Sequence, residues 1–264
     1  RSLKSVVHLR PSRFREWVAP ASCESIEFIS DLHLAPQTPR TLDAWERYLV
    51  TTRADAVFIL GDLFDSWVGD DSRFEAFEAH CVSVLARASA TTSLAFMVGN
   101  RDFLVGTAMC QASGMQLLSD PTVLVAFAQR ILLSHGDALC LADTEYQQLR
   151  TMVRNPEWQR DLLAWPLEQR RELARELRAA STQHSAGRNR DEWADIDFPL
   201  AINWLDQANS KTLIHGHTHR PATDPLARGY RRHVLSDWSF DDPQAERAEV
   251  LRLDASGLQR HRLT

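Results

Sequence analysis

No run of apolar residues in this chain approaches the roughly eighteen needed to span a bilayer, so no segment reads as a membrane-crossing helix. The first two dozen residues carry arginines but no continuous apolar core, which argues against a secretory signal. Cysteine is scarce: four residues, at 23, 81, 110 and 140, without paired spacing. That usage fits reduced, partly buried thiols in a cytoplasmic protein better than a disulfide framework. Positive charge is not in excess. Thirty Lys and Arg stand against 35 Asp and Glu, a net charge of −5, which disfavours a general nucleic-acid role driven by phosphate attraction. Internal repeats and low-complexity segments are absent too, which removes solenoid and linker architectures.

What is present is enough for one large α/β domain, or one domain with an insertion: 264 residues, 44% apolar and 25% charged. Residues 1–24, basic and interrupted by Pro11 and Pro20, read as an N-terminal extension. Strands are expected at 25–29, 56–60, 93–98, 115–118, 122–127, 130–134, 212–214, 232–238 and 249–253, with a hairpin at Ala128-Gln129. Ala56-Val57-Phe58-Ile59-Leu60 is apolar throughout, as suits a parallel strand buried on both faces. Helical spacing covers 41–53 and 72–89. From 139 to 210 the β-branched runs vanish and charged helix formers dominate, broken by Pro156 and Pro166. This region reads as a helical lid inserted into a core made of 25–138 and 211–264. Its Trp158, Leu162, Leu163, Trp165 and Leu167 serve either as packing against the core or as the lining of a groove for an acyl chain, with arginines near anionic head groups.

The strand ends share a feature. Ser25–Ile29 runs into Asp31 and His33. Leu60 is followed by Gly61-Asp62, the 93–98 strand by Gly99-Asn100-Arg101, Ser134 by His135-Gly136-Asp137, and Ile214 by His215-Gly216-His217-Thr218-His219. Carboxylate, amide oxygen and imidazole are the donors a divalent metal takes, and strand ends are where open α/β sheets place ligands. Each motif alone has an ordinary reading: a helix cap for Asp62, a turn for Gly99-Asn100, a surface turn for the histidines. In extended backbone His217 and His219, two apart, would point both rings to one side. Taken together, Asp31, His33, Asp62, Asn100, His135, His217 and His219 are too many for one tetrahedral site. They divide over two metals if Asp62 bridges. Without thiolates the set suits manganese, iron or zinc in an open geometry. Two dications offset by two aspartates and one hydroxide leave about one positive charge for an incoming phosphate. Such a pair, roughly 3.5–4 Å apart, activates water for in-line attack. Arg101 offers a planar fork to that phosphate. Asp65 and Asp102 read as supporting or capping residues, His215 as support for its loop, and Trp67 and Trp238 as packing.

These five motifs, in this order, resemble the calcineurin-like metallophosphoesterase superfamily, whose fold is a sandwich of two β-sheets between helices. The resemblance implies that Asp31, His33 and His219 hold one metal and Asn100, His135 and His217 the other, with Asp62 shared. It also implies catalytic roles for Asp62, Asn100, Arg101 and His135. Arg101 stands where the superfamily usually has a histidine, which weakens general acid catalysis. A leaving group that departs readily, such as a nucleoside monophosphate, needs that help less. The longer stretches 61–71, 99–104, 135–137 and 215–221, with the lid between the last two, look like one branch: bacterial diphosphatases of UDP-2,3-diacylglucosamine in lipid A biosynthesis. From about residue 25 to 240 the similarity implies a manganese-dependent hydrolase, with iron or zinc as substitutes, that releases UMP and 2,3-diacylglucosamine 1-phosphate. It implies substrate contacts from Asn100, Arg101, Asp143, Tyr146, Arg178, Ser181, Ser185, Arg188 and His217. Ser185 stands where Asn is frequent, and Arg188 where Lys is. That substrate implies work in the cytoplasm at the inner-membrane surface; a monomer is expected, with no nucleic-acid partner. The alternatives are a phosphodiesterase or phosphatase for a soluble nucleotide, and a scaffold that has lost catalysis. The scaffold is disfavoured because all seven ligands are present.

Overall fold

The structure, a computed structural model, describes residues 13–185 and 195–263, and for 180–185 the backbone alone. The run Ala56–Leu60 has no polar face to turn outward, and as strand β3 all five of its residues are buried. Successive side chains leave a strand on opposite faces. Ala56, Phe58 and Leu60 therefore enter one apolar cluster, and Val57 and Ile59 another. Such a strand must be central, and it pairs in parallel with β2 (Ser25–Ile29) and β4 (Ser93–Met97). The parallel set extends to β5 (Met115–Leu118) at one edge. On the other side β11 (Glu249–Asp254) and β12 (Gly257–Arg262) complete six strands in antiparallel fashion.

The second sheet has the order β1 (Arg15–Val18), β6 (Thr122–Ala126), β7 (Gln129–Ser134), β8 (Thr212–His215), β10 (Arg231–Val234) and β9 (Ala222–Pro225). The two sheets bury their facing sides together: Phe28, Phe58 and Met97 from one meet Leu124, Ile131 and Ile214 from the other. The outer face of the first sheet is covered by α1 (Pro39–Thr51), α2 (Ala76–Ser89) and α3 (Thr107–Ser113). Their Trp45, Leu49, Val84, Leu85 and Met109 share one cluster with Val57 and Ile59. Thr41, Ala44, Trp45, Tyr48 and Leu49 are the buried stripe of α1, spaced as one helix face requires. The outer face of the second sheet is covered by α7 (Phe198–Ala208), through Ala201, Leu205 and Ala208 against Val123, Leu132 and Leu213. The layers are thus helix, sheet, sheet, helix, as expected.

Between β7 and α7 the chain leaves the sandwich as α4 (Thr144–Val153), α5 (Pro156–Leu163) and α6 (Leu167–Ser185). Asn155 caps α5, accepting from the Glu157 and Trp158 N–H groups, with Pro156 in the first turn. Two arginines fasten this lid to the core. Arg154 donates to the carbonyl oxygens of Val98 and Gly99 at 3.3 and 2.9 Å. Arg170, only 3% exposed, donates to the Trp165 carbonyl at 3.0 Å and to Asp71 at 2.8 Å, and also to the Val68 carbonyl.

Four local readings change. Arg15–Val18, inside the stretch read as an extension, is an edge strand paired in parallel with β6. It is too short and polar for alternation to reveal it. The hairpin turns one residue earlier, at Phe127-Ala128, both at positive φ. α7 lies within the range read as lid but packs on the sheet. Its apolar face answers β7 and β8, which no single-segment pattern shows. Strands β9 and β12 escaped notice because their residues are mostly polar and half exposed.

Candidate active site

β2, β3 and β4 are parallel neighbours, and so are β7 and β8 in the facing sheet. Their carboxyl ends therefore open on one end of the sandwich, and the five polar motifs meet there. The loops are tied to one another before any side chain is considered. The Asp31 and His33 N–H groups donate to the Gly61 and Asp62 carbonyls at 3.1 and 3.0 Å, and Gly216 N–H to that of His135 at 2.9 Å. Asp102 pins two loops at once. Buried completely, it accepts from Gly99 at 2.7 Å, Leu63 at 2.8 Å and Asp62 at 3.3 Å, the supporting role expected of it. Glycine is required where the loops touch. A Cβ on Gly99 would stand 2.1 Å from Asp62 Oδ1, and one on Gly216 2.4 Å from Asp31 Oδ2.

All seven expected donors come together, in two groups. Asp31 Oδ1 lies 3.3 Å from His219 Nε2, which lies 3.2 Å from His33 Nε2. Asn100 Oδ1 lies 3.0 Å from His135 Nε2 and 2.9 Å from His217 Nδ1. Asp62 stands between the groups: its Oδ2 is 3.8 Å from His33 Nε2 and its Oδ1 3.7 Å from His135 Nε2. Ligand atoms of Asp31, His33 and His219, and those of Asp31, Asp62 and His135, lie within 4.8 Å of one another. Asp31 Oδ1 is buried without a hydrogen-bond partner, a cost that a cation would remove. The donor set thus fits a divalent metal pair.

His217 and His219 differ from the extended geometry expected of them. Their φ values are 65° and 51°, so the chain turns between them and each ring serves a different group. Asp31, His33 and Asp62 are left-handed as well, at 55°, 48° and 53°. Non-glycine residues pay about 1 kcal/mol or more each for that conformation, and such strain collects at functional sites.

The electrostatics follow from burial and crowding. Burial pushes the Asp62 carboxyl up to about 7, against the pull of His135, with Asp102 and Asp31 adding to the rise. For His135, burial opposes protonation, but Asp62, Asp137 and Asp31 outweigh it and raise its pKa to about 9. Burial, reinforced by His135, lowers His217 to about 3. Arg101 is lowered, first by burial and then by the neighbouring charge of Arg178.

Beside the candidate metal donors lies a cleft of about 730 Å³, counted with the space open to solvent. Its polar lining includes Asn100, Arg101, Tyr146 and Arg178. The lid supplies Leu149, Val153, Trp158, Leu162, Leu173 and Leu177. Tyr146 rests its ring 5.7 Å from that of His217 and donates its hydroxyl to Asp137 at 2.6 Å. Asp143 caps α4 through the Tyr146 N–H. Arg178 forms an ion pair with Asp65 at 2.8 Å. Ser181 and Ser185 fall in the last turns of α6, where only the backbone is described, and Arg188 lies outside the described residues. Trp67 and Trp238 are buried as expected, although Trp67 also lines the cleft.

Sequence reasoning passed over Asp137. This buried carboxylate receives Tyr146, Arg150 at 2.9 Å and Arg154 at 3.6 Å. The signal was available: 146, 150 and 154 are four apart, which places them on one helix face.

Comparison with known proteins shows the family. The chain belongs to the calcineurin-like phosphoesterase family, whose model matches residues 25–221. Within it, the chain belongs with the UDP-2,3-diacylglucosamine hydrolases. It is 43% identical over 242 residues to the one from Chromobacterium violaceum, covering 89% of this chain and 97% of that relative. It is 40% identical over 242 residues to the one from Xanthomonas oryzae pv. oryzae, covering 88% and 96%. Among solved structures it is similar to vacuolar protein sorting 29 from Cryptosporidium parvum, with TM-score 0.48, 15% identity and 92% of each chain covered.

Proposed function

We propose that this protein hydrolyses the pyrophosphate bond of UDP-2,3-diacylglucosamine, giving UMP and 2,3-diacylglucosamine 1-phosphate, in lipid A biosynthesis. The observation that carries the proposal is one continuous surface. Seven metal donors, two arginines and an apolar lid-lined cleft meet at Asn100 and Arg101. In this reading Asp31, His33 and His219 would hold one metal and Asn100, His135 and His217 the other, with Asp62 shared. Manganese suits the oxygen and imidazole set, and iron or zinc are its substitutes. When bound, the metal pair would supply an activated water and Lewis-acid polarisation of the phosphoryl oxygens.

The chain's own residues do the rest. Arg101 and Arg178, which line the same cleft, offer two guanidinium forks to the substrate phosphates. Asp62 Oδ1 accepts the backbone N–H of Arg101 at 2.8 Å, which fixes the backbone from which that side chain departs. Asn100, His217 and Tyr146 border the same space, and Asp143 orients Tyr146 from the helix cap. Ser181, Ser185 and Arg188 complete the assigned substrate contacts. No histidine follows Asn100 to protonate the leaving group. A phosphate monoester oxygen, already a stable anion, departs without one.

The apolar lid side chains suit acyl chains. Leu163 and Trp165, which follow cleft-lining Leu162, are 42% and 48% exposed, and Phe74 is 74% exposed. No helix among the described residues is long and apolar enough to cross a membrane. The exposed apolar side chains support contact with a lipid surface, which in this reading is the cytoplasmic face of the inner membrane, where the chain works as a monomer. The test is UMP release from UDP-2,3-diacylglucosamine beside the same assay on deacylated UDP-glucosamine. Turnover confined to the acylated substrate is expected. Equal turnover of both would discard the lipid reading in favour of a soluble nucleotide.

A further inference from the structure

Histidines that bind a metal through one ring nitrogen usually present the other to an acceptor, which fixes the tautomer and strengthens the ligand. Three of the four histidines can be followed this way or contrasted with it. His135 Nδ1 lies 2.9 Å from the Leu60 carbonyl oxygen. His219 Nδ1 faces Asp237 Oδ2 at 3.5 Å, and Arg247 holds that aspartate from behind. His33 differs. Its Nδ1 is buried and has no hydrogen-bond partner. The carboxylate oxygen facing it, Asp65 Oδ1, stands 3.9 Å away, too far for a hydrogen bond. That same oxygen lies 2.8 Å from Nη2 of Arg178, which reaches it from the lid helix α6.

From these contacts we infer that Asp65 is a positioning residue for His33, and that Arg178 competes with His33 for it. Asp65 Oδ1 has no hydrogen-bond partner of its own; drawn to the Arg178 charge it stands too far from His33 to support it, so the lid's pull and the support of His33 compete for the position of one carboxylate. Arg178 also lines the cleft and is 44% exposed at its side chain, so it can turn toward a substrate phosphate without a change of fold. A shift of about 1 Å by Asp65 then brings its oxygen within reach of the His33 N–H. Arg154 and Arg170 cannot play this part. They spend their donors on backbone carbonyls of the core and hold the lid in place. A phosphate arriving at the lid is thereby coupled to the firmness of one metal ligand. Coupling of that kind is reciprocal: a better-held metal also favours the phosphate.

His33 matters here as a metal ligand, the role proposed above, and the assignment of Asp65 rests on it. The test uses Mn2+ alone, titrated into the metal-stripped full chain, with free Mn2+ read by electron paramagnetic resonance. Asp65→Ala should weaken one of the binding steps about tenfold or more, the usual cost of losing such a partner. Asp65→Asn keeps an acceptor oxygen and should recover part of that loss. Arg178→Ala should tighten the same step severalfold in the native background and change nothing when combined with Asp65→Ala. Equal tightening by Arg178→Ala in both backgrounds would show bulk charge repulsion and overturn the competition. Native binding by Asp65→Ala would overturn the positioning role. A His33→Ala variant that binds Mn2+ as the native chain does would instead strike the ligand assignment itself, which separates the two failures.

Discussion

At the scale of single residues, this molecule concentrates cost where it concentrates chemistry. Five of the seven candidate metal donors sit at positive φ, and two glycines remain bare so that Asp62 and Asp31 can approach neighbouring backbone. Buried titratable groups elsewhere carry their own cost. His233 on β10 is 6% exposed, and burial, with Arg260 and Arg231 nearby, lowers its pKa to about 4. In the unfolded chain the same group titrates near 6.5. Above that value both states are neutral and nothing is lost. As pH falls from 6.5 toward 4, the unfolded state takes a proton that the folded state refuses, so stability declines across that window. By about 1.4 kcal/mol per unit, the loss is no more than about 3 kcal/mol. Denaturant melts between pH 7 and 4.5 should show His233→Gln losing less stability than the native chain. Parallel curves would mean that His233 protonates freely in the fold.

At the scale of elements, the lid is the unusual part. Its longest helix, α6, turns Leu173, Ala174 and Leu177 to the cleft, but among its described side chains only Arg170 is fully buried, so its position depends on a few fastenings. Arg170 is the most buried of these. Replacing it with Met removes the donors to the Val68 and Trp165 carbonyls. Asp71 is 58% exposed and keeps its solvation, so the loss is on the order of 2 kcal/mol and local to the lid. Arg170→Met should therefore raise the KM for the acylated substrate about tenfold and leave kcat within a factor of a few. An unchanged KM, or a kcat loss with KM intact, would show that α6 does not hold the acyl chains.

The sequence makes some of these elements plain and hides others, for physical reasons. β2, β3, β4 and β7 are legible because buried strands demand largely apolar runs, and the polar residues that end them, ordinary one by one, make a ligand set when taken together. Arg15–Val18, β9 and β12 are edge or half-exposed strands, specified by the neighbour they pair with. α7 has an apolar face whose partner only the sheet order reveals. The donors Asp31, His33, Asp62, Asn100, His135, His217 and His219 could be gathered from strand ends alone. Their division between two groups could not, because it depends on the left-handed turns that send His217 and His219 apart.

At the scale of the whole molecule, two sheets contribute one half each. β2, β3 and β4 carry Asp31, His33, Asp62 and Asn100, and β7 and β8 carry His135, His217 and His219. Each half alone carries only part of the proposed ligand set, so the packing of sheet on sheet is what brings the set together. The lid then covers the same end with an apolar wall. The central claim is that this assembly works as a two-metal hydrolase. The measurement that tests it most directly is UMP release from UDP-2,3-diacylglucosamine by metal-stripped protein as Mn2+ is added in known equivalents. Activity should be absent without metal, rise with addition and level off at two equivalents per chain. A plateau at one equivalent, or turnover that survives chelation, would contradict it.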